Sequence, residues 1–390
     1  MEAKSEERDL LAGLPRAVGQ PPLMCALLKR EPEDFVVDEE PAYVPEGSGD
    51  HLFLRFRKTG LDTDEAVRRI ARALNLDPRE AGVAGKKDRH AVTTQWLSLL
   101  CRDEAAADAA RALELPSIEI LEVSRHKNKL RTGHLRGNRF ALRLRDVNRG
   151  DDGVMEAFDL AAVHAALAIL TERGLPAYYG EQRFGVDNLI RARRWLVEGG
   201  PPPRHPGDKK FLVSVLQSSI FNELCAARLM MPEGLASIVH GDVVKKDDTG
   251  GLFVAEDLSE VQARALRFEV SATGPMFGAS MRRAEHEAAA EEDAALLRHG
   301  LDEEKLARFA RFGEGTRRPY RLRVRGYDGE GEPQARLEGG DLLLRFWLPA
   351  GAYATTLVRE LVRAPRTYAP PREEPPREEP APIESAPLEQ

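Results

Sequence analysis

Apolar residues alternate with polar ones in several short stretches near the start of the chain, and a period of two is the mark of a half-buried strand. Asp34 to Glu39 (DFVVDE) and His51 to Arg57 (HLFLRFR) show it, the second with Leu52, Leu54 and Phe56 on one face. Thr63 then precedes Asp64 and Glu65, and Val67, Ile70 and Leu74 recur at helical spacing, which predicts a capped amphipathic helix ended by Asp77-Pro78. Gln95 to Cys101 (QWLSLLC) predicts a buried strand. Asn138 to Asp146 alternates most cleanly: Phe140, Leu142 and Leu144 share one face, and Arg139, Arg143 and Arg145 the other. From Phe158 the period lengthens, with Leu160, Val163, Leu167 and Leu170 on one helical stripe and further helices predicted near Asp187 to Glu198 and Asp208 to Met230. Few strands are predicted there, and Pro201 to Pro206 is a surface loop. Strand patterns return at Tyr320 to Val324 and Asp341 to Leu348, before a last helix carrying Leu357, Val358, Leu361 and Val362. The pattern predicts an α/β (α+β) domain interrupted by a mostly helical insertion.

Composition adds limits. The 390 residues, 42% hydrophobic, can bury one large core or two moderate ones. Three cysteines without CxxC spacing argue against a disulfide framework or structural zinc and suit a reducing cytosol. Neither a signal peptide nor a membrane span is predicted. Net charge is −7, but Ala369 to Gln390 carries six Glu against two Arg with seven prolines, and Met281 to Lys305 carries eight acids against four bases. The first reads as a disordered tail, the second as solvated helix. Without them the chain is nearly neutral, so a local cluster of bases can dominate its surroundings. Val123 to Arg145 holds eight Lys or Arg and no acid, which points either to polyanion contact or to a solvated strand face.

The segment Gly85 to Gln95 (GKKDRHAVTTQ) is the least ordinary. It delivers Asp88 on a turn beside two lysines, and a neighbouring cation favours the ionised carboxylate that a nucleophile needs. An Asp that only accepts backbone hydrogen bonds in a turn accounts for everything except the paired lysines. A phosphate loop is excluded because Glu80 and Lys87 stand where glycine and Ser or Thr are required. The nine histidines show no metal-ligand spacing, and neither a GxSxG elbow nor a dinucleotide fingerprint is present. Phe35, Phe140 and Tyr353 sit beside polar groups and could stack on a splayed base, although alternation suggests that the two phenylalanines are core.

Together these segments resemble the TruD-type pseudouridine synthases, which modify uridine 13 of certain bacterial transfer RNAs. The resemblance rests on seven ordered pieces: PEDFVVDE from Pro32, AGKKDRHAVTTQ from Ala84, GNRFALRLR from Gly137, GLPAYYGEQRFG from Gly174, LQSSIFNE from Leu216, TGPMFG from Thr273 and LPAGAYATTLVREL from Leu348. It implies a mixed-sheet catalytic domain formed by residues 1–168 and 317–368, an insertion domain at 169–316, and a tail at 369–390 outside the family pattern. The family's nucleophile falls on Asp88, with Gln95 closing the motif. Its substrate-binding positions fall on Phe35, Asn138, Phe140 and Tyr353, and its upstream lysine on Lys29. Arg139, Arg143 and Arg145 are then expected to meet the RNA backbone.

Pseudouridine formation breaks the glycosidic bond, turns the base and rejoins it through carbon 5, so neither cofactor nor metal is expected. The carboxylate could attack C1′, attack C6 or abstract the 2′ proton; all three routes stay open. The base must leave its stack in each. The expected partner is tRNA, met by a cytoplasmic monomer. Two other classes fit parts of the pattern: an RNA-binding protein for which Asp88 is dispensable, and a glycoside hydrolase pairing Asp88 with Glu39, for which Lys86 and Lys87 are awkward neighbours.

Overall fold

The computed structural model describes residues 11, 13–148, 157, 159–185 and 187–368; the tail expected at 369–390 lies outside them. In chain order the first elements are β1 (Leu23–Leu28), β2 (Phe35–Pro41), β3 (His51–Thr59), α1 (Thr63–Ala73), β4 (Gly82–Val83), β5 (Val92–Leu100), α2 (Ala105–Arg111), β6 (Ile118–His126) and β7 (Leu135–Leu144). There follow α3 (Leu160–Arg173), β8 (Leu175–Pro176), α4 (Glu181–Phe184), α5 (Asn188–Leu196), α6 (Pro206–Leu229), β9 (Val243–Lys246), β10 (Leu252–Val254), α7 (Leu258–Leu266) and β11 (Val270–Met276). The chain closes with α8 (His286–Arg298), α9 (Glu303–Ala310), β12 (Thr316–Pro319), β13 (Arg321–Leu322), β14 (Gln334–Glu338), β15 (Asp341–Pro349), α10 (Ala354–Leu361) and β16 (Val362–Thr367).

The large sheet runs in the order β14-β15-β7-β2-β5-β3-β6, with β4 added beside β5. It is mixed: β2 and β5 are parallel, and their neighbours antiparallel. The chain leaves this sheet after Leu144 and rejoins it at Gln334. Residues paired across strands share a face, and the register puts Glu39 opposite Asn138, Asn138 opposite Leu348, Phe56 opposite Gln95, and Lys58 opposite Thr93. That face carries two separate apolar cores. One gathers Phe35, Val37, Phe140 and Phe346 with residues of α3 and α10. The other gathers Leu54, Phe56, Leu97 and Leu99 under Val67 and Ile70 of α1. Between them runs a polar row of Glu39, Lys58, Thr93, Gln95 and Asn138, every member buried.

Two expectations change. The middle of the chain, where few strands are predicted, holds a four-stranded sheet, β10-β9-β11-β12, among its helices. Its strands are short, and β11 (VSATGPM) is buried at every position, so it shows no alternation and includes a glycine and a proline. The cap of α1 is also displaced by one residue: the carboxylate of Asp62 accepts from the Glu65 amide, while Thr63 lies inside the helix with its side chain buried. Among the described residues no helix is long and apolar enough to cross a membrane.

The other chain-closing feature is a parallel pair of β1 with β16, which joins residues 23–28 to residues 362–367. The guanidinium of Arg359 donates to the carbonyls of Leu11, Leu14 and Pro15, and the Val18 amide donates to Glu360. Both ends of the described chain are thus bound to each other directly before Lys29.

Candidate active site

The turn between β4 and β5 is held from three directions. Gln95, fully buried on β5, donates from Nε2 to the Gly85 carbonyl at 3.2 Å and accepts at Oε1 from the Thr63 hydroxyl at 3.1 Å. The same Thr63 oxygen accepts from the Lys87 amide at 2.9 Å. Lys87 turns inward and pairs with Glu39 at 2.6 Å, both side chains being almost without exposure. Lys86 points outward to Asp64 at 2.6 Å, with 73% of its side chain exposed. The paired lysines of the motif therefore do different work, and neither forms an ion pair with Asp88.

The cation beside Asp88 is Lys29, whose Nζ lies 2.8 Å from Oδ2. Lys29 follows β1 with φ of +55°, a left-handed conformation unusual for a residue with a β-carbon. Its ammonium also lies 4.2 Å from the centroid of the Phe35 ring. Asp88 keeps 38% of its side chain exposed, and among the described residues its Oδ1 has no hydrogen-bond partner. One oxygen is fixed by a cation while the other is left without a partner on a part-exposed side chain, which suits a carboxylate that must meet an incoming group.

Lys58 is the participant that pattern does not reveal. Fully buried on β3, it donates to the Asp88 carbonyl at 2.8 Å and to the Leu61 carbonyl at 2.6 Å. Burial pushes its pKa down to about 8, against which the nearby Asp88 charge acts. In sequence it is only the lysine of an alternating strand; the one available clue is that it falls on the same face as Leu52, Leu54 and Phe56, where a charge is out of place.

The other expected residues divide. Asn138 lies in the polar row with its Oδ1 buried and unpartnered, as is the Thr93 hydroxyl. Phe35 and Phe140 are 4% and 5% exposed and pack edge to face with centroids 6.3 Å apart. They are core residues, Phe35 serving as the floor under Lys29. Tyr353 precedes α10 and packs its ring 6.4 Å from that of Tyr179; among the described residues no contact joins it to Asp88 or Lys29.

The expected basic strip is largely answered inside the protein. Arg139 pairs with Glu40 at 3.2 Å, Arg143 with Glu338 and Asp341 at 3.1 Å, and Arg145 with Asp34 at 2.8 Å. Arg125 is buried and donates to three backbone carbonyls. The hydrolase alternative loses its second carboxylate, since Glu39 is consumed by Lys87 and by the Trp96 amide.

This arrangement can be compared with known proteins. The family model described as tRNA pseudouridine synthase D (TruD) matches residues 18–197 and 206–361. A tRNA pseudouridine synthase D of Anaeromyxobacter sp. is 46% identical over 346 residues, covering 86% of this chain and 92% of its own. One from Thermus thermophilus is 42% identical over 339 residues, covering 86% and 88%. A solved Methanosarcina mazei structure described as tRNA pseudouridine synthase D superposes with a TM-score of 0.68 over 91% of this chain and 97% of that one; at 21% identity it speaks for the fold alone. With the match spanning both sides of the large sheet and the turn that carries Asp88, the chain belongs to the TruD family of tRNA pseudouridine synthases.

Proposed function

We propose that this tRNA pseudouridine synthase acts at uridine 13 and that Asp88 is its nucleophile. The observation that carries the assignment is the part-exposed Asp88 carboxylate itself, paired with buried Lys29 through one oxygen and without a partner at the other among the described residues. The reaction is an isomerisation. The N1–C1′ bond breaks, the C5–C1′ bond forms, the proton on C5 is lost and N1 gains one. Nothing is oxidised and no second substrate enters, so the work of the protein is to extrude, hold and turn one base. Asn138 suits the holding: an amide oxygen buried without a donor costs about 1–3 kcal/mol, which a uracil N–H would relieve. Residues 1–168 and 317–368 act on this reading as the catalytic unit, with 169–316 inserted into it.

Unmodified tRNA transcripts incubated with the protein and mapped by carbodiimide-dependent reverse-transcription stops test the proposal. A new stop at uridine 13 is expected. Stops only at other uridines would overturn the position, and no stop in any transcript would overturn the activity.

A further inference from the structure

Most of the positive charge of segment 123–145 is paired inside the protein, and free cations gather instead in a cleft to which that segment contributes Arg136. Residues 321 to 325 place arginine at alternate positions, while Leu322 and Val324 point into the core. The three guanidiniums are set on aromatic faces: Arg321 and Arg323 lie 3.8 and 4.2 Å from the Phe268 ring centroid, and Arg325 lies 5.4 Å from that of Trp347. They line a cleft of about 300 Å³ between the β9 strand and the end of the large sheet. Among the described residues lining it there are seven Lys or Arg side chains and one carboxylate, Asp247, which is paired with Arg323 at 2.7 Å. Arg136, Lys245, Lys246, Arg318 and Arg325 lie within ion-pair distance of no carboxylate among the described residues. Arg321 is 2% exposed and is bonded to Ser271 and two backbone carbonyls, so its charge too is unanswered; burial pushes its pKa down to about 10. Such a concentration of cations is costly for an empty cleft and suits an anion.

The position of the cleft says which anion. Arg136 stands two residues before Asn138, and the Ala350 amide donates to the Arg136 carbonyl. Pro349 and Ala350 lead into the turn that carries Tyr353. Arg318 joins the two places, with its guanidinium 4.4 Å from the Tyr179 ring centroid and donating to the Gly351 carbonyl at 3.1 Å. Trp347, however, pairs with Arg139 and so points to the face of the sheet opposite Asn138. The cleft lies round the end of β7 and β15 from the Asn138 face. We propose that it is a phosphodiester-binding site, which grips the tRNA backbone a short way along the strand from the isomerised uridine. Planar guanidiniums held on rings are preorganised for phosphate oxygens, and the lysines of β9 add charge without direction.

The inference rests on tRNA being the substrate and not on which uridine is turned. The test replaces Arg136, Lys245 and Lys246 by glutamine together, none of which donates a side-chain hydrogen bond within the described residues. Binding of a tRNA transcript is measured against salt in this variant and in the unsubstituted protein, and again with Asp88→Asn in both, so that turnover does not enter. Affinity is expected to fall about tenfold, and the slope of log affinity against log salt by roughly 0.7–0.9 for each phosphate that the variant no longer grips. In the active form the loss should appear in KM rather than kcat. Lys245→Gln with Lys246→Gln alone gives the same reading at lower amplitude should the triple variant unfold at a lower temperature. Affinity and slope equal to the unsubstituted protein, or weaker binding at an unchanged slope, would overturn the proposal. A protein that binds tRNA with this salt dependence but converts no uridine would leave the cleft standing and remove the catalytic assignment.

Discussion

At the scale of single residues the site rests on three lysines with separate tasks. Lys29 meets the carboxylate of Asp88, Lys58 its backbone carbonyl, and Lys87 holds the turn through Glu39. Asp88→Asn keeps the shape but removes the charge, so pseudouridine formation should become undetectable while tRNA affinity stays within a few fold. Lys29→Ala and Asn138→Ala remove positioning only and should retain turnover lowered by a factor on the order of 10²; an Asp88→Asn rate equal to theirs would reduce Asp88 to a turn residue. Lys58 adds a dependence on pH. Its pKa of about 8 lies below the ordinary lysine value, so the buried ammonium costs stability below that pH, and the cost is relieved as pH rises through 8 toward the unfolded value. Activity runs the other way, because the charged group is what grips two carbonyls. We expect kcat at saturating tRNA to decline as pH rises through about 8, and Lys58→Gln to be slow with that limb absent. Asp88 is legible in sequence because glycine, lysine and aspartate crowd into one turn. Lys58 is not, because its role appears only when the β3 strand is laid beside the β5 turn.

At the scale of elements, alternation is a sound guide wherever one face of a strand is polar. In the β7 and β15 strands Phe140, Leu142, Leu144, Leu342, Leu344, Phe346 and Leu348 fall in one core as the period of two requires, while Leu343 and Trp347 lie on the other face with Arg143 and Arg139. The sheet of β9 to β12 escapes detection for the opposite reason: with both faces of β11 buried there is no polar side to alternate with. Thr63 shows a local version of the same problem. Beside acids in a first helical turn it looks like a cap, yet Asp62 can cap as well, and the hydroxyl is needed by Lys87 and Gln95. Close strand approach gives a prediction of its own. A β-carbon at Gly137 would stand 2.4 Å from the Leu348 carbonyl oxygen and 2.4 Å from the Trp347 ring. Gly137→Ala must therefore part β7 from β15 next to Asn138. A loss of about 1–3 kcal/mol in a denaturant titration is expected, together with a fall in turnover larger than in tRNA affinity.

At the scale of the whole molecule the Asp88 turn lies where two apolar cores fail to merge, and a buried polar row runs between them. Little of this is legible from residue patterns, since one core gathers residues from Leu23 to Val362 and the gap appears only when β2 and β5 join in the sheet. The parallel pairing of β1 with β16 sets a further condition. Lys29 follows β1, and β1 is held by residues 362–367 and by the Arg145 segment at the end of β7. Ending the chain at Leu361 should leave the Asp88 turn intact while freeing Lys29, so kcat should drop on the order of 10², as in Lys29→Ala, with the β5 region equally protected from amide exchange. The ribosome completes residues 362–367 long after the Asp88 turn has emerged. A growing chain therefore carries Asp88 without its cation until residues 362–367 are synthesised, and fragments that stop before them are expected to turn over as slowly as Lys29→Ala.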